Sequence, residues 1–342
     1  MMRSPQSFAA VVRRKNGALV VREEAMLDTR TGMRGWPMVR GVITLVEALK
    51  LGSKALRFSA DIYEADLEEE EKAAKKPGTL AMLSLPIIAL LTTEPDDPGQ
   101  SSGEGGKKLF TFLSIAFAIG LFVALPQAFA AGTSKVFHLG LDVRSVGFQV
   151  LTGAAKLSIL IGYMLVIRRM PEIYRVFQYH GAEHKSIYTY EAGEDLTVDN
   201  ARTKTTLHPR CGTTFLVMVA LVSILVFSAL GPFLPELGLG KLGDNVLFFL
   251  MKLPFLPVIA AITFEMQRLL ARYGKGPLKL LLWPGFLVQK ITTIEPDDAQ
   301  LEVALAALRA TLRRELGARA NADGDATFES FESLASETPS AA

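Results

Sequence analysis

Three of the chain's four histidines and its one cysteine fall in two short clusters, His180-Gly181-Ala182-Glu183-His184 and His208-Pro209-Arg210-Cys211. On a helix, His180 and His184 are one turn apart, so both imidazoles leave the same face and can grip one ion. Glu183 stands next to that face, as a ligand or as a base. His208 and Cys211 also share a side if a single helical turn carries them. Together they form a borderline-soft nitrogen and sulfur set of the kind zinc accepts. Four ligands would close a structural site, whereas three with an open position would make a catalytic one. A plainer reading has the histidines bonding interfacial carbonyls or lipid phosphate, with Cys211 a small buried hydrophobe. Gly181 weakens the case for a regular helix through His180.

The elements that must position these clusters read as a membrane scaffold. Of the 342 residues, 49% are hydrophobic, concentrated in a few long runs, which puts the membrane class first. A formal net charge of +2 is too near neutral to indicate nucleic acid as a partner. A lone cysteine makes no internal disulfide, so no oxidising compartment is implied. No apolar core of a cleavable signal peptide is visible in residues 1–10.

Four segments are long and apolar enough to be expected to cross a bilayer: residues 109–131, 146–167, 213–230 and 246–264. The second carries Lys156 at depth, and the fourth carries Lys252, Pro254 and Pro257. Seven Lys and Arg residues, from Arg168 to Arg210, lie between the second and third segments, and Arg268, Arg272, Lys275 and Lys279 follow the fourth. The alternate loops hold only Lys135, Arg144 and Lys241. By the positive-inside rule both termini and both clusters are cytoplasmic. Tyr179, Tyr188 and Tyr190 read as an interfacial aromatic belt. Glu265, at the cytoplasmic end of the fourth segment, is a candidate further ligand or supporting acid.

Around this membrane domain (109–290, with the His/Cys loop at 168–212) the chain has cytoplasmic flanks. In the first region, 1–78, residues 8–13 and 18–22 flank Lys15-Asn16-Gly17, a strong hairpin signal. The stretch 36–58 is an amphipathic helix with a basic stripe that includes Arg40, Lys50 and Lys54. It suits either an anionic leaflet or a partner helix, and Gly41 and Gly52 are places where it could break. Acid-rich residues 61–76 read as a solvated linker or exposed helix, and 79–108 as an interfacial segment followed by a flexible loop. Residues 278–288 are again interfacial around Trp283. In 291–318 a helix from about Gln300 to Leu316 is capped by Asp297 or Asp298, and 319–342 reads as a disordered tail.

His-x-x-Glu-His is also the pattern of the inverzincin peptidases, where two histidines hold zinc and the glutamate activates water. The longer block Arg175-Val176-Phe177-Gln178-Tyr179-His180-Gly181-Ala182-Glu183-His184-Lys185, with His208-Pro209-Arg210-Cys211-Gly212-Thr213 and Glu295-Pro296-Asp297-Asp298, resembles the YqhQ-like family of bacterial integral membrane proteins. Pro37-Met38-Val39-Arg40-Gly41-Val42 resembles it too. The resemblance implies a metal at the histidine clusters and supplies no substrate. Family members carry a glycine-rich segment ending in an acid-glycine pair ahead of a turn like Met1-Met2-Arg3-Ser4-Pro5, so an acidic residue of the site is expected before Met1. The stretch 80–108 is longer than the resemblance implies.

The sequence thus predicts a mainly α, polytopic protein of the bacterial inner membrane, with about four transmembrane helices, a small N-terminal β-hairpin and cytoplasmic amphipathic helices. A divalent metal, zinc first, is expected at His180, His184, His208 and Cys211, with Lys185, Arg210 and Glu265 behind the ligands. If the protein is an enzyme, Glu183 is the general base of a metal-assisted hydrolysis, acting on a membrane-protein or lipid-linked substrate. A non-enzymatic membrane scaffold or regulator is the alternative. A transporter, suggested by Lys156 and the broken fourth segment, comes third.

Overall fold

Asn16 and Gly17 make the turn that the sequence predicts, with Gly17 at a φ of +92°, a backbone geometry glycine adopts without strain. In a computed structural model, the chain is described over residues 1–26, 32–74, 112–114, 116–117, 120–233, 243, 250–273, 276–316 and 324–337. The expected segments at 79–108, 109–111 and 246–249 lie outside these residues. The strands are β1 (Met2–Arg3), β2 (Ser7–Arg13), β3 (Leu19–Ala25) and β4 (Gly324–Phe328). The helices are α1 (Val39–Ala74), α2 (Leu125–Val136), α3 (Val146–Ile167), α4 (Pro171–Glu191) and α5 (Val198–Arg202). They continue with α6 (Gly212–Leu230), α7 (Phe255–Tyr273), α8 (Trp283–Thr292), α9 (Asp298–Glu315) and α10 (Phe331–Glu337).

The hairpin is the centre of a four-stranded antiparallel sheet in the order β1-β2-β3-β4. A two-stranded ribbon is marginal alone, and here both of its faces are covered. Successive strand residues alternate between them. Phe8, Ala10 and Val20 pack on Leu51 and Phe58 of α1, while Ala9, Leu19 and Val21 pack on Val303, Ala306 and Ala310 of α9. Strand β4 and helix α10 stand where a disordered tail was expected. Phe328 lies opposite Leu19 and is buried, and Arg22 grips the Asp325 carboxylate with two hydrogen bonds of 2.7 and 2.8 Å.

Helix α1 is longer than its apolar pattern, because the acidic run simply continues it for 36 residues in all. Gly41 does not break it. A Cβ there would lie 3.0 Å from Phe264 Cβ and 3.2 Å from Ala261 Cα, so the glycine lets α1 press against α7. Arg40 donates to both carboxylate oxygens of Glu265 at the same joint. Of the two expectations for this helix, packing on protein is the one the structure shows.

Helices α3 and α6 are long and apolar enough to cross a membrane, with mean hydropathies of 2.0 and 2.5, and no other described helix is. They pack together with Gly153 against Ile224. Membrane association is therefore suggested by these two elements. Helix α7 overlaps the expected fourth span only from Phe255 onward and continues through Glu265, Arg268 and Arg272. Lys252 reaches Gln149 of α3 at 2.9 Å and sits 4.8 Å from the Phe227 ring centre.

Candidate metal centre

Helix α4 starts at Pro171, which suits a first helical position, and stays regular through Gly181. The reason for a glycine there is a crossing strand of chain. A Cβ on Gly181 would lie 2.1 Å from the Ile294 carbonyl oxygen, and the Ile294 N–H donates to the Phe177 carbonyl at 3.0 Å. That crossing sets the Thr292 carbonyl 3.0 Å from His180 Nδ1. One turn on, His184 Nδ1 bonds the Thr206 carbonyl. A carbonyl can only accept, so each Nδ1 carries a proton, and Nε2 is the nitrogen whose lone pair is free for an ion once it is deprotonated.

Both Nε2 atoms turn toward one sulfur. His180 Nε2 lies 3.2 Å from Cys211 Sγ, and a ring nitrogen of His184 lies within 4.8 Å of the same atom. The two imidazole centres are 4.6 Å apart, and the ligand atoms of His180, His184 and Cys211 all lie within 4.8 Å of one another. Zinc bonds of about 2.0–2.1 Å to nitrogen and about 2.3 Å to sulfur place tetrahedral donors roughly 3.3–3.8 Å apart. Small side-chain rotations bring these three to that spacing, so the set fits such an ion.

Cys211 caps α6, its sulfur accepting from Thr213 N–H. Burial pushes its thiol up, but the hydrogen bonds and charges of His180 and His184 outweigh this and bring it down to about 5. The histidines thus favour the thiolate, the form in which cysteine ligates an ion. For His180, burial works to lower the imidazole pKa, and the Cys211 hydrogen bond and charge reverse it into a rise.

His208 does not join the group. Residues 208–211 form a turn rather than a helix, with the Cys211 N–H donating to the His208 carbonyl at 3.3 Å. Spacing therefore puts only Cys211 at the helix start. The His208 ring packs edge-on to Tyr188 at 4.8 Å, and its Nδ1 accepts from the Arg210 N–H at 3.3 Å. Its Nε2 is buried without a hydrogen-bond partner, 3.6 Å from a Glu191 oxygen. Burial, with the neighbouring His184, lowers its pKa to about 4.

The supporting residues divide similarly. Glu183 points off the shared face, and its carboxylate lies 2.5 Å from the Met1 nitrogen. Lys185 is buried and ties Glu295 to the Arg202 carbonyl, bracing the two chain segments that bring carbonyls to the histidines. Arg210 pairs with Glu191, and Glu265 belongs to the α1–α7 joint. Tyr188 serves His208 and Tyr179 packs in the sheet–α9 core, so they do not form a belt.

Two glutamines escaped the sequence reading. Gln289 accepts from the His208 N–H at 2.8 Å and donates to the His208 carbonyl at 2.7 Å. Gln267 donates to the carbonyls of Pro209 and Cys211 at 2.9 and 3.0 Å. The available signal was an uncharged amide inside an apolar helix, since buried amides need partners.

The family described as "Protein of unknown function (DUF1385)" matches residues 36–314, a span that includes both clusters and the crossing segment. The chain belongs to the DUF1385 family. It is 33% identical over 286 residues to the uncharacterized protein YqhQ of Bacillus subtilis (strain 168), covering 82% of this chain and 78% of that one. No solved structure matches the chain. Within the matched DUF1385 span lie all three converging ligands, Gly181 and both glutamines.

Proposed function

We propose that this DUF1385 protein is a bacterial inner-membrane metalloprotein that holds a divalent ion, zinc by donor type, with His180, His184 and Cys211. One observation carries the reading: both Nδ1 atoms are held by backbone carbonyls, which turns both Nε2 atoms toward one sulfur. The four-span topology with cytoplasmic termini remains part of this proposal, and it sets the ion at the cytoplasmic end of α6. There it fastens α4, and the sheet unit behind it, to the first turn of an apolar helix. Fastening is supported better than hydrolysis, because His184 and Cys211 are buried. A second reading, hydrolysis at the membrane, draws on the three-ligand count, which leaves a fourth position for water that a bound ion would acidify.

The test is the metal content of the detergent-purified full chain. About one ion per chain is expected, lost in His180→Ala, His184→Ala and Cys211→Ser, and kept in His208→Asn and Glu183→Gln. No stoichiometric metal in the parent protein would sink the proposal. Retention in Glu183→Gln together with loss of a cellular phenotype would favour hydrolysis over fastening.

A further inference from the structure

A second feature lies apart from the His/Cys group. Where α3 ends and α4 begins, Leu165, Arg168, Arg169, Pro171 and Tyr174 line a cavity of about 620 Å³. Arg168 caps the C-terminus of α3, an apolar helix long enough to span a bilayer, and its guanidinium donates to the Lys290 carbonyl at 3.3 Å. That contact brings the last turn of α8 to the same corner. The lining includes two guanidiniums and no carboxylate, and among the described residues neither arginine forms an ion pair with an acid. Glu172 follows Pro171 but is not part of the lining. Leu165 of α3 and Tyr174 of α4 add apolar surface to the lining, so the cavity combines charged and oily groups.

We propose that this cavity binds a phosphate group, carried by the headgroup of an anionic phospholipid whose first acyl carbons lie along Leu165. Guanidinium forks match phosphate oxygens two at a time, and basic pockets at the cytoplasmic ends of membrane helices are suited to anionic headgroups. Free phosphate shares the charge chemistry but has no use for the apolar surface. The proposal rests on α3 spanning the bilayer.

The experiment is native mass spectrometry of the full chain in detergent, titrated separately with phosphatidylglycerol, phosphatidylcholine and inorganic phosphate. Phosphatidylglycerol is expected to bind at least tenfold more tightly than phosphatidylcholine, and the Arg168→Gln/Arg169→Gln double variant to lose that preference. Arg168→Lys/Arg169→Lys should recover part of it, and Lys135→Gln, which removes a charge on another loop, should leave it unchanged. A circular-dichroism spectrum and urea midpoint equal to the parent's show that the double variant has folded. Equal binding of the two lipids, or a double variant that behaves as the parent, would overturn the proposal. Inorganic phosphate competing as well as phosphatidylglycerol would overturn the lipid assignment in favour of a soluble phosphate ligand. Release of the chain from membranes by alkaline carbonate would instead refute the spanning reading, independently of the lipid result.

Discussion

Helices α9 and α6 are almost the same length, 18 and 19 residues, yet they occupy opposite environments. The charged one is the more buried. Helix α9 carries Arg309, Arg313 and Arg314 and is enclosed on nearly every side by the sheet, α4 and α10. Helix α6 carries no charge at all and buries one stripe, leaving residues such as Leu216 and Leu225 on the outside. Burying a guanidinium is costly unless it is paired, and α9 meets that cost locally: Arg313 bonds Glu23, and Arg309 bonds the Leu196 carbonyl at 3.0 Å. Exposed leucines facing water would carry the opposite penalty, which lipid removes. An uncharged, outwardly apolar helix therefore suggests a membrane for α6, while charge with a partner marks the core around α9.

The contrast can be broken most forcefully at the Glu23–Arg313 pair, where both side chains are 3% exposed. Glu23→Ala leaves the guanidinium buried without its carboxylate and is expected to destabilise the sheet unit by about 3–5 kcal/mol, read from the urea midpoint. The Glu23→Leu/Arg313→Met double variant should recover most of that loss. Next, Leu225 on α6 and Leu316 at the end of α9 are equally exposed, 69% each. Leu225→Arg is expected to cost about 2.5–3.5 kcal/mol of membrane insertion, whereas Leu316→Arg should stay within about 0.5 kcal/mol. Equal insertion of the two variants would mean that α6 faces water and that the comparison fails.

A third substitution acts at the seam between the two regions. Gly181→Ala drives a Cβ into the Ile294 carbonyl, which belongs to backbone and cannot rotate away. The Thr292 carbonyl then shifts off His180, and metal affinity is expected to fall by about 10–100-fold in a chelator competition, with insertion unchanged. The smallest effect is a pH slope. Below about 6.5 the unfolded chain takes up a proton that the buried His208 ring refuses until about 4, so stability falls as pH drops through that window. In metal-stripped protein, His208→Asn is expected to flatten the dependence of the urea midpoint on pH between those limits.

What was legible in the sequence was local. The one-turn spacing of His180 and His184, the Asn16-Gly17 turn and the acidic cap of α9 all need only neighbours along the chain. Asp297 indeed caps α9, with Gln300 completing a reciprocal pair of hydrogen bonds. What stayed hidden depends on chain brought from far away. Strand β4 is short and polar, and it becomes a strand only because β3 offers an edge some 300 residues earlier. Gly181 and Gly41 look like helix breakers until the Ile294 carbonyl and the Phe264 side chain arrive beside them. His208 and Cys211 were paired by spacing, but Pro209 sits in a turn that sends one side chain to sulfur chemistry and the other to Tyr188.

Helix α1 also has a mechanical consequence. At about 1.5 Å per residue its 36 residues form a rod roughly 54 Å long, held near one end where Gly41 meets α7 and along its middle by the sheet. A tilt of about 5° at the Gly41 pivot swings the far tip through roughly 4 Å. Any small change in the angle at that pivot would therefore reach the far tip of α1 as a displacement the size of a side chain.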